Sequence, residues 1–489
     1  MRRTEINGIP LYWDDVPGPF TAHLLLATGI EHEPFPRRGV TALAEQLALA
    51  AADDAGSACD ELGSTVEGDH TRFWVTGAPE RVAEVVNRLC RALAEPPVDG
   101  LAGAVRRVGA RQRREARWEE FQERELGFRY GLRGPGRAGW AAMAVEHVGA
   151  DAVRAWAAER FTRAGAALVL TGPPPEALDP RLPDGPRPER PEVEPLPGTS
   201  GCWLEAPHGY GEHVMLSFEV PAAPVGLLAA DVARARVQGD RRLAPELTGE
   251  VELHSSFVGG GRMRFWLVAP TDELGTQAVA DGLDAVLREL AGQGPTEDEV
   301  RRAARARSER LDTADGRHGL LLAAGLDRLS GQEVLDDPAV RARLASAGTD
   351  DVRAALADYA ATALLTLPAH CAPGPDSPFV PEPDRFGQGL HEAYAYRPRL
   401  FGPAGRRERM YLGDEGLAHW TGFCHHLVRW HQVAGLGVFP SGRRILYGEL
   451  GAVIDIQADW YKSGGDLIAA VDTRVPPSLR FPVSEGEPI

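Results

Sequence analysis

Cysteine is scarce. The 489 residues contain five, Cys59, Cys90, Cys202, Cys371 and Cys424, scattered and without a Cys-x-x-Cys pair. That leaves no disulfide framework and no thiolate zinc site. Long apolar runs are absent too, and none reaches membrane-spanning length. The opening "MRRTEINGIPLYWDD" has two arginines but no apolar core. A secretory signal is therefore not expected, and a cytoplasmic location is. Net positive charge is lacking: the formal charge is -17, which argues against nucleic acid or an anionic membrane as the main partner. What remains is 43% hydrophobic and 25% charged residues, the balance of a globular protein long enough for roughly three domains.

The chain repeats itself once. "TAHLLLATG" from Thr21 and "EHVMLSFEV" from Glu212 are strand-like runs, each followed by an Ala/Leu-rich helix. "RFWVTGAPERVAEVVNRLCRAL" from Arg72 is matched by "RFWLVAPTDELGTQAVADGLDAVLREL" from Arg264, a strand leading into an amphipathic helix. "DAVRAWAAERFTRAGAALVLTG" from Asp151 has an echo in "DVRAALADYAATALLTL" from Asp351. The period is too long for a solenoid and predicts two similar α+β domains, each a sheet with helices on one side. Their spans are 1–171 and 199–371, joined by a Pro-rich, extended linker at 172–198. A second Pro-rich linker, 372–398, precedes a tail at 399–489. There short β-like runs between Gly-containing turns predict a small antiparallel barrel or sandwich.

"RRGVTALAEQLALA" (Arg37 to Ala50) reads as a helix with Val40, Leu43, Leu47 and Ala50 on its apolar face. Ala42, Glu45 and Gln46 share another face. Histidines at 42 and 46 around Glu45 would make a zinc site with its general base; only the Glu is present. By residue type alone, Glu45 reads as a solvated helix-face residue or the remnant of a site.

With "NGIPLYW", the strand ending at Gly29 and "GVTALAEQLAL", the pattern over roughly residues 5–370 resembles the insulinase/pitrilysin family of zinc peptidases. The likeness is to the processing-peptidase type, whose subunits hold two homologous α/β-sandwich domains and usually pair to enclose a chamber. By position, the family's His-x-x-Glu-His falls on Ala42, Glu45 and Gln46, and its third ligand, a Glu, falls near Arg111 within "RRVGARQRREAR". The resemblance thus implies a non-catalytic member with no zinc of its own, the metal residing in a partner. The family's oxyanion-holding Arg and Tyr would fall on Arg241 or Arg242 and near Gly249 to Val251, where no Tyr stands. Both arginines also read as exposed helix-end charges. "SFVGGGRMRFW" places Gly259, Gly260, Gly261 and Arg262 where non-catalytic subunits carry a glycine-rich loop that reaches substrate; a plain hairpin turn is the alternative.

His425, His426 and His431 cluster without metal-ligand spacing, and "HGYGEH" (His208 to His213) reads as a loop. The tail, with Trp430, Arg443 and Arg444, resembles pleckstrin-homology-like domains, and protein docking suits it better than lipid binding. The leading expectation is a non-catalytic subunit of a heteromeric zinc peptidase. It would complete the chamber around a catalytic homologue and help bind an extended peptide, without nucleic acid and without membrane insertion. An assembly or scaffold protein of the same fold is the alternative. An enzyme with a rearranged metal site is the third reading, and no ligands in the sequence supply it.

Overall fold

The repeated blocks become the same pieces of two sheets in the computed structural model. It describes residues 1–53, 59–115, 120–140, 145–206, 213–369, 371–383, 390, 392–399, 407–422 and 424–485. The first domain contains β1 (Arg2–Ile6), β2 (Ile9–Trp13), β3 (Thr21–Leu26), β4 (Glu61–Val66), β5 (Thr71–Thr76) and β6 (Ala166–Leu170). Its helices are α1 (Val40–Asp53), α2 (Pro79–Ala94), α3 (Leu101–Glu115), α4 (Glu120–Tyr130) and α5 (Ala150–Arg160). The second contains β7 (Cys202–Glu205), β8 (His213–Pro221), β9 (Glu252–Gly259), β10 (Arg262–Pro270), β11 (Leu364–Leu367) and β12 (Val380–Pro381). Its helices are α6 (Pro224–Gly239), α7 (Thr276–Gln293), α8 (Glu297–Arg310), α9 (Ala314–Ser330), α10 (Asp337–Ser346), α11 (Thr349–Ala355) and α12 (Tyr359–Thr362).

The sheet orders are β1-β2-β6-β3-β5-β4 and β12-β7-β11-β8-β10-β9. Apart from the outer strand beside β2 or β7 they are one topology, with a parallel pair (β2 with β6, β7 with β11) beside antiparallel neighbours. That outer strand differs, β1 running antiparallel to β2 and β12 parallel to β7. In both domains the strand-to-helix block that repeats in sequence is the same strand and the same helix. β12 lies in the 372–398 stretch expected as linker. It adds to β7 at the edge that β1 holds in the first sheet. The same stretch also contains a strand of the tail's sheet, Tyr394–Tyr396, so it is not a plain linker.

The expected helices on one side of each sheet are present: α1, α2, α3 and α5 bury Leu24, Leu43, Leu89 and Phe161 in one core. The other face is covered too, by a helix from the opposite domain. α9 lays Leu321 and Ala324 over Leu25 and Val169 of the first sheet. Gly325 permits this approach, since a Cβ there would lie 2.5 Å from Leu25 Cδ1. Reciprocally, α4 sets Leu126 and Tyr130 on Met215, Trp266 and Val268 of the second sheet. The 172–198 segment carries no helix or strand and is anchored: Asn7 Nδ2 donates to Pro180 O at 3.0 Å and Arg190 forms an ion pair with Glu31 at 2.8 Å.

The tail folds into β13 (Tyr394–Tyr396), β14 (Arg409–Leu412), β15 (Gly416–Trp420), β16 (His425–Arg429), β17 (Val433–Val438), β18 (Arg444–Gly448), β19 (Val453–Ile456) and β20 (Arg480–Pro482), with α13 (Gly464–Arg474). Two four-stranded sheets, β13-β14-β15-β16 and β19-β18-β17-β20, enclose Leu436, Ile454, Tyr461 and Leu467. All pairs are antiparallel except β17 with β20. This β domain sits on the first domain, where Phe439, Tyr447 and Phe481 pack on Phe35 and Leu132. Gly131 (φ +64°) makes room: a Cβ there would lie 2.1 Å from Glu449 O. No helix among the described residues is long and apolar enough to cross a membrane.

Candidate functional site

α1 begins where a buried carboxylate meets its first turn. Glu33 accepts from Gly39 N and Thr41 N, each at 2.8 Å, satisfying amides that a helix start leaves without partners and matching the positive end of its dipole. Thr41 in turn accepts from Trp156 Nε1 of α5 at 3.1 Å. Thus fixed, α1 presents Glu45 and Gln46 to α3 and to β4.

Glu45 is 0% exposed, so the solvated reading of it does not hold. Arg111 Nη1 and Nη2 reach its two carboxylate oxygens at 3.1 Å each, a bidentate pair between α3 and α1. Ser64 of the edge strand β4 also donates to Glu45 Oε1. Gln46 Nε2 donates to the same carboxylate at 3.1 and 3.2 Å. Its own amide oxygen accepts from Arg107 Nε at 3.0 Å. Ala42 adds only its methyl group.

A zinc site needs three protein donors and an open position for water. Ala42 has no donor, the Gln46 oxygen is taken by Arg107, and both Glu45 oxygens are engaged by Arg111. A guanidinium already supplies the positive charge that the carboxylate faces. These residues do not fit zinc.

The second domain contains the same device. Asp231 on α6 is buried and accepts from Arg310 of α8 at 2.7 Å and from Arg307 as well. Arg111 lies ten residues into α3 and Arg307 ten residues into α8. Each domain therefore pins the helix after its central strand to a later helix by a carboxylate–arginine lock.

Gly259, Gly260 and Gly261 form the turn between β9 and β10, at φ +93°, +56° and +68°. Arg262 at its base is held by Glu219 (Nε to Oε2, 3.1 Å) and Asp358 (Nη1 to Oδ2, 2.9 Å). Arg242 folds back on Asp240 at 2.6 Å beyond the end of α6 and, like Arg241, is exposed. Gly249 to Val251 leads into β9 without a Tyr.

In the tail, His425 and His426 lie on β16, His425 against Trp420 with ring centroids 4.5 Å apart; His431 lies in the short turn that follows. Residues 208–212 fall outside the described residues, and His213, expected in a loop, starts β8. Trp430 Nε1 donates to Gly413 O at 3.1 Å. Arg443 and Arg444 are each matched by a carboxylate, Asp455 and Asp472, which leaves no basic pocket there.

Sequence reasoning missed a buried charge cluster between the domains. Glu125 and Arg129 of α4 meet Arg264 of β10 and Glu219 of β8. Arg264 is 0% exposed. Glu125 also accepts from Ser217 Oγ at 2.6 Å and Trp266 Nε1 at 2.7 Å. Burial pushes the Glu219 carboxyl up, but Arg264, Arg129 and Arg262 outweigh it and hold the group below its ordinary range. In the sequence, Glu125 and Arg129 show only as an i,i+4 pair, a pattern usual on exposed helices.

No protein-family model matches the chain, and no curated protein sequence matches it. Solved structures do. An M16 peptidase inactive domain from Pseudomonas fluorescens matches with TM-score 0.60 and 15% identity, over 76% of this chain and 99% of that one. A chain of complex III from Candida albicans matches with TM-score 0.59 and 12% identity, over 74% and 94%. Pitrilysin matches with TM-score 0.53 and 14% identity, over 74% of this chain and 44% of that one. The chain has the two-domain fold of the M16, pitrilysin-like peptidases, followed by an additional β domain.

Proposed function

We propose that this chain is the non-catalytic subunit of a heteromeric zinc peptidase. The observation that carries the proposal is the Glu45–Arg111 pair at the motif position of an M16-type fold. A catalytic homologue with both histidines and the third carboxylate would supply the zinc and the base. This chain would supply the opposing wall and help hold an extended peptide.

β4 and β9 end their sheets, and an edge strand accepts a peptide by backbone pairing. Arg190 ties these two edges together. Its guanidinium lies 2.8 Å from Glu31 and 3.6 Å from Asp69, beside the β4–β5 turn, and donates to Phe257 O of β9 at 2.9 Å. The Gly259–Gly261 turn is on the same hairpin. In this reading its backbone touches the peptide, while Arg262, held by Glu219 and Asp358, fixes the base of the turn. The exposed large apolar side chains among the described residues are Leu274, Val380 and Tyr394, so pairing with the homologue would rest mainly on polar and backbone contacts. The β domain, with Arg443 and Arg444 already matched by Asp455 and Asp472, serves protein docking in the manner of a pleckstrin-homology-like module.

Likeness to a complex III chain favours a second reading, an assembly subunit with no part in proteolysis. The experiment that separates the two is titration of a His-x-x-Glu-His homologue with this chain, read by peptide cleavage and by gel filtration. The subunit reading predicts that cleavage rises to a plateau at equimolar chain. It also predicts that Arg262→Ala or shortening of the glycine turn lowers turnover while the complex still elutes as one species. A homologue fully active alone, with turn variants behaving as wild type, would favour the scaffold.

A further inference from the structure

The cavity where the three parts of the molecule meet is unrelated to the Glu45 position. It measures about 590 Å³; Phe128 of α4, Trp140, Leu204 of β7 and Leu450 give it apolar wall, and Glu123, Glu382 and Arg124 add charged groups. Cys424 and His426 also line it. Cys424 immediately precedes β16 and His426 is its second residue, and both side chains reach the cavity. Cys424 Sγ lies 3.5 Å from His426 Nε2. Thr421 Oγ1 accepts from Cys424 N at 3.2 Å and donates to Cys424 O at 3.3 Å. It also lies 3.3 Å from the same sulfur, toward which its proton would turn from that carbonyl once the sulfur is an anion. A thiol, a base within reach of its proton and a donor for the anion are the parts of an activated nucleophile.

We propose that Cys424 is a nucleophilic thiol, with His426 as its base, that takes a small aliphatic disulfide in this cavity. In the step, His426 Nε2 accepts the thiol proton as Sγ attacks one sulfur of the disulfide. A new Sγ–S bond forms, the original S–S bond breaks, and its electron pair leaves on the distal sulfur. The proton passes from His426 to that sulfur. One protein thiol and one disulfide thus become one mixed disulfide and one free thiol, and no other oxidant is needed. The apolar walls receive the alkyl arms, and the volume exceeds what a peroxide would occupy. The adduct would lie between the β domain and α4, at the junction of the tail with both peptidase-like domains.

The other thiols provide the comparison. Cys90 and Cys202 are fully buried, and burial pushes the Cys90 thiol up to about 12 and raises that of Cys59. Cys59 and Cys371 are half-buried. The experiment treats the native full chain with bis(2-hydroxyethyl) disulfide at pH 7 and follows each cysteine by peptide mapping. We expect the first adduct on Cys424, about tenfold faster than on Cys59 or Cys371, as a thiol with a positioned base requires. His426→Asn should remove that lead while the melting temperature stays near wild type. Equal or faster modification of Cys59 or Cys371 in the wild type would overturn the proposal, as would an unchanged Cys424 rate in a folded His426→Asn. If that variant does not fold, the wild-type ranking decides alone.

Discussion

Arg111 grips both carboxylate oxygens of Glu45, at 3.1 Å each, across the α1–α3 interface. In the register proposed above, a zinc peptidase would hold a dication at this position between two imidazoles and a carboxylate. Here a planar guanidinium bonds the carboxylate directly, and Glu45 becomes the acceptor of an internal lock.

Removing one partner should therefore cost more than removing both. Arg111→Ala leaves Glu45 buried and short of its main counter-charge, and we expect a loss of about 3 kcal/mol in denaturant unfolding. Glu45→Gln with Arg111→Leu should cost clearly less than Arg111→Ala alone. Equal losses would mean that the pair contributes nothing as a pair.

The register can be tested by restoring it. The triple variant Ala42→His, Gln46→His and Arg111→Glu should bind about one zinc per chain, since it supplies two imidazoles and a carboxylate with tetrahedral requirements. Equilibrium dialysis with metal analysis reads the result. A folded triple variant without zinc would show that Arg111 does not occupy the third-ligand position.

The interdomain cluster should dominate the coupling of the domains. Glu125 serves Arg129, Arg264, Ser217 and Trp266 together. Glu125→Ala should cost about 3–5 kcal/mol, because two buried arginines lose a counter-charge. In calorimetry it should also split a single transition into two, since α4 would no longer hold the second sheet. A loss below about 1 kcal/mol, the range of an exposed pair, would contradict this.

His23 of β3 and His318 of α9 meet Nε2 to Nε2 at 2.6 Å, so one must donate and the other accept, both neutral. Burial, then His318 and Arg72, hold His23 down at about 3. Burial and Arg72 also lower His318, against a smaller upward pull from Asp315. The unfolded chain binds the proton near 6.5, the native state only near 3. The stability is thus complete above pH 6.5 and falls as pH drops toward 3, by about 2–3 kcal/mol at pH 4.5 from His23 alone. Melting temperature against pH should fall more steeply in wild type than in His23→Phe over that window. Parallel curves would remove His23 from the acid response.

The two sheets were legible in the sequence because the repeat preserves strand-to-helix junctions, such as "RFWVTG" and "RFWLVA", whose periodicity is local. That no histidine stands at positions 42 and 46 was equally plain. The burial of Glu45 was not, because it depends on Arg111 from a helix some sixty residues later and on Ser64 from an edge strand. The exchange of α4 and α9 left no local trace either: which sheet an amphipathic helix covers is decided by tertiary packing, not by its pattern. The short β12 was hidden in a Pro-rich stretch, where an edge strand tolerates proline.

The most direct test is native mass spectrometry of this chain with a His-x-x-Glu-His homologue, combined with metal counting on each subunit after separation. We predict a specific complex of one copy of each chain that contains zinc on the homologue alone. Stoichiometric zinc retained by this chain, lost on Glu45→Gln, would contradict the assignment of Glu45 and Arg111 as a lock; failure to form any complex would contradict its role as the missing half of a peptidase.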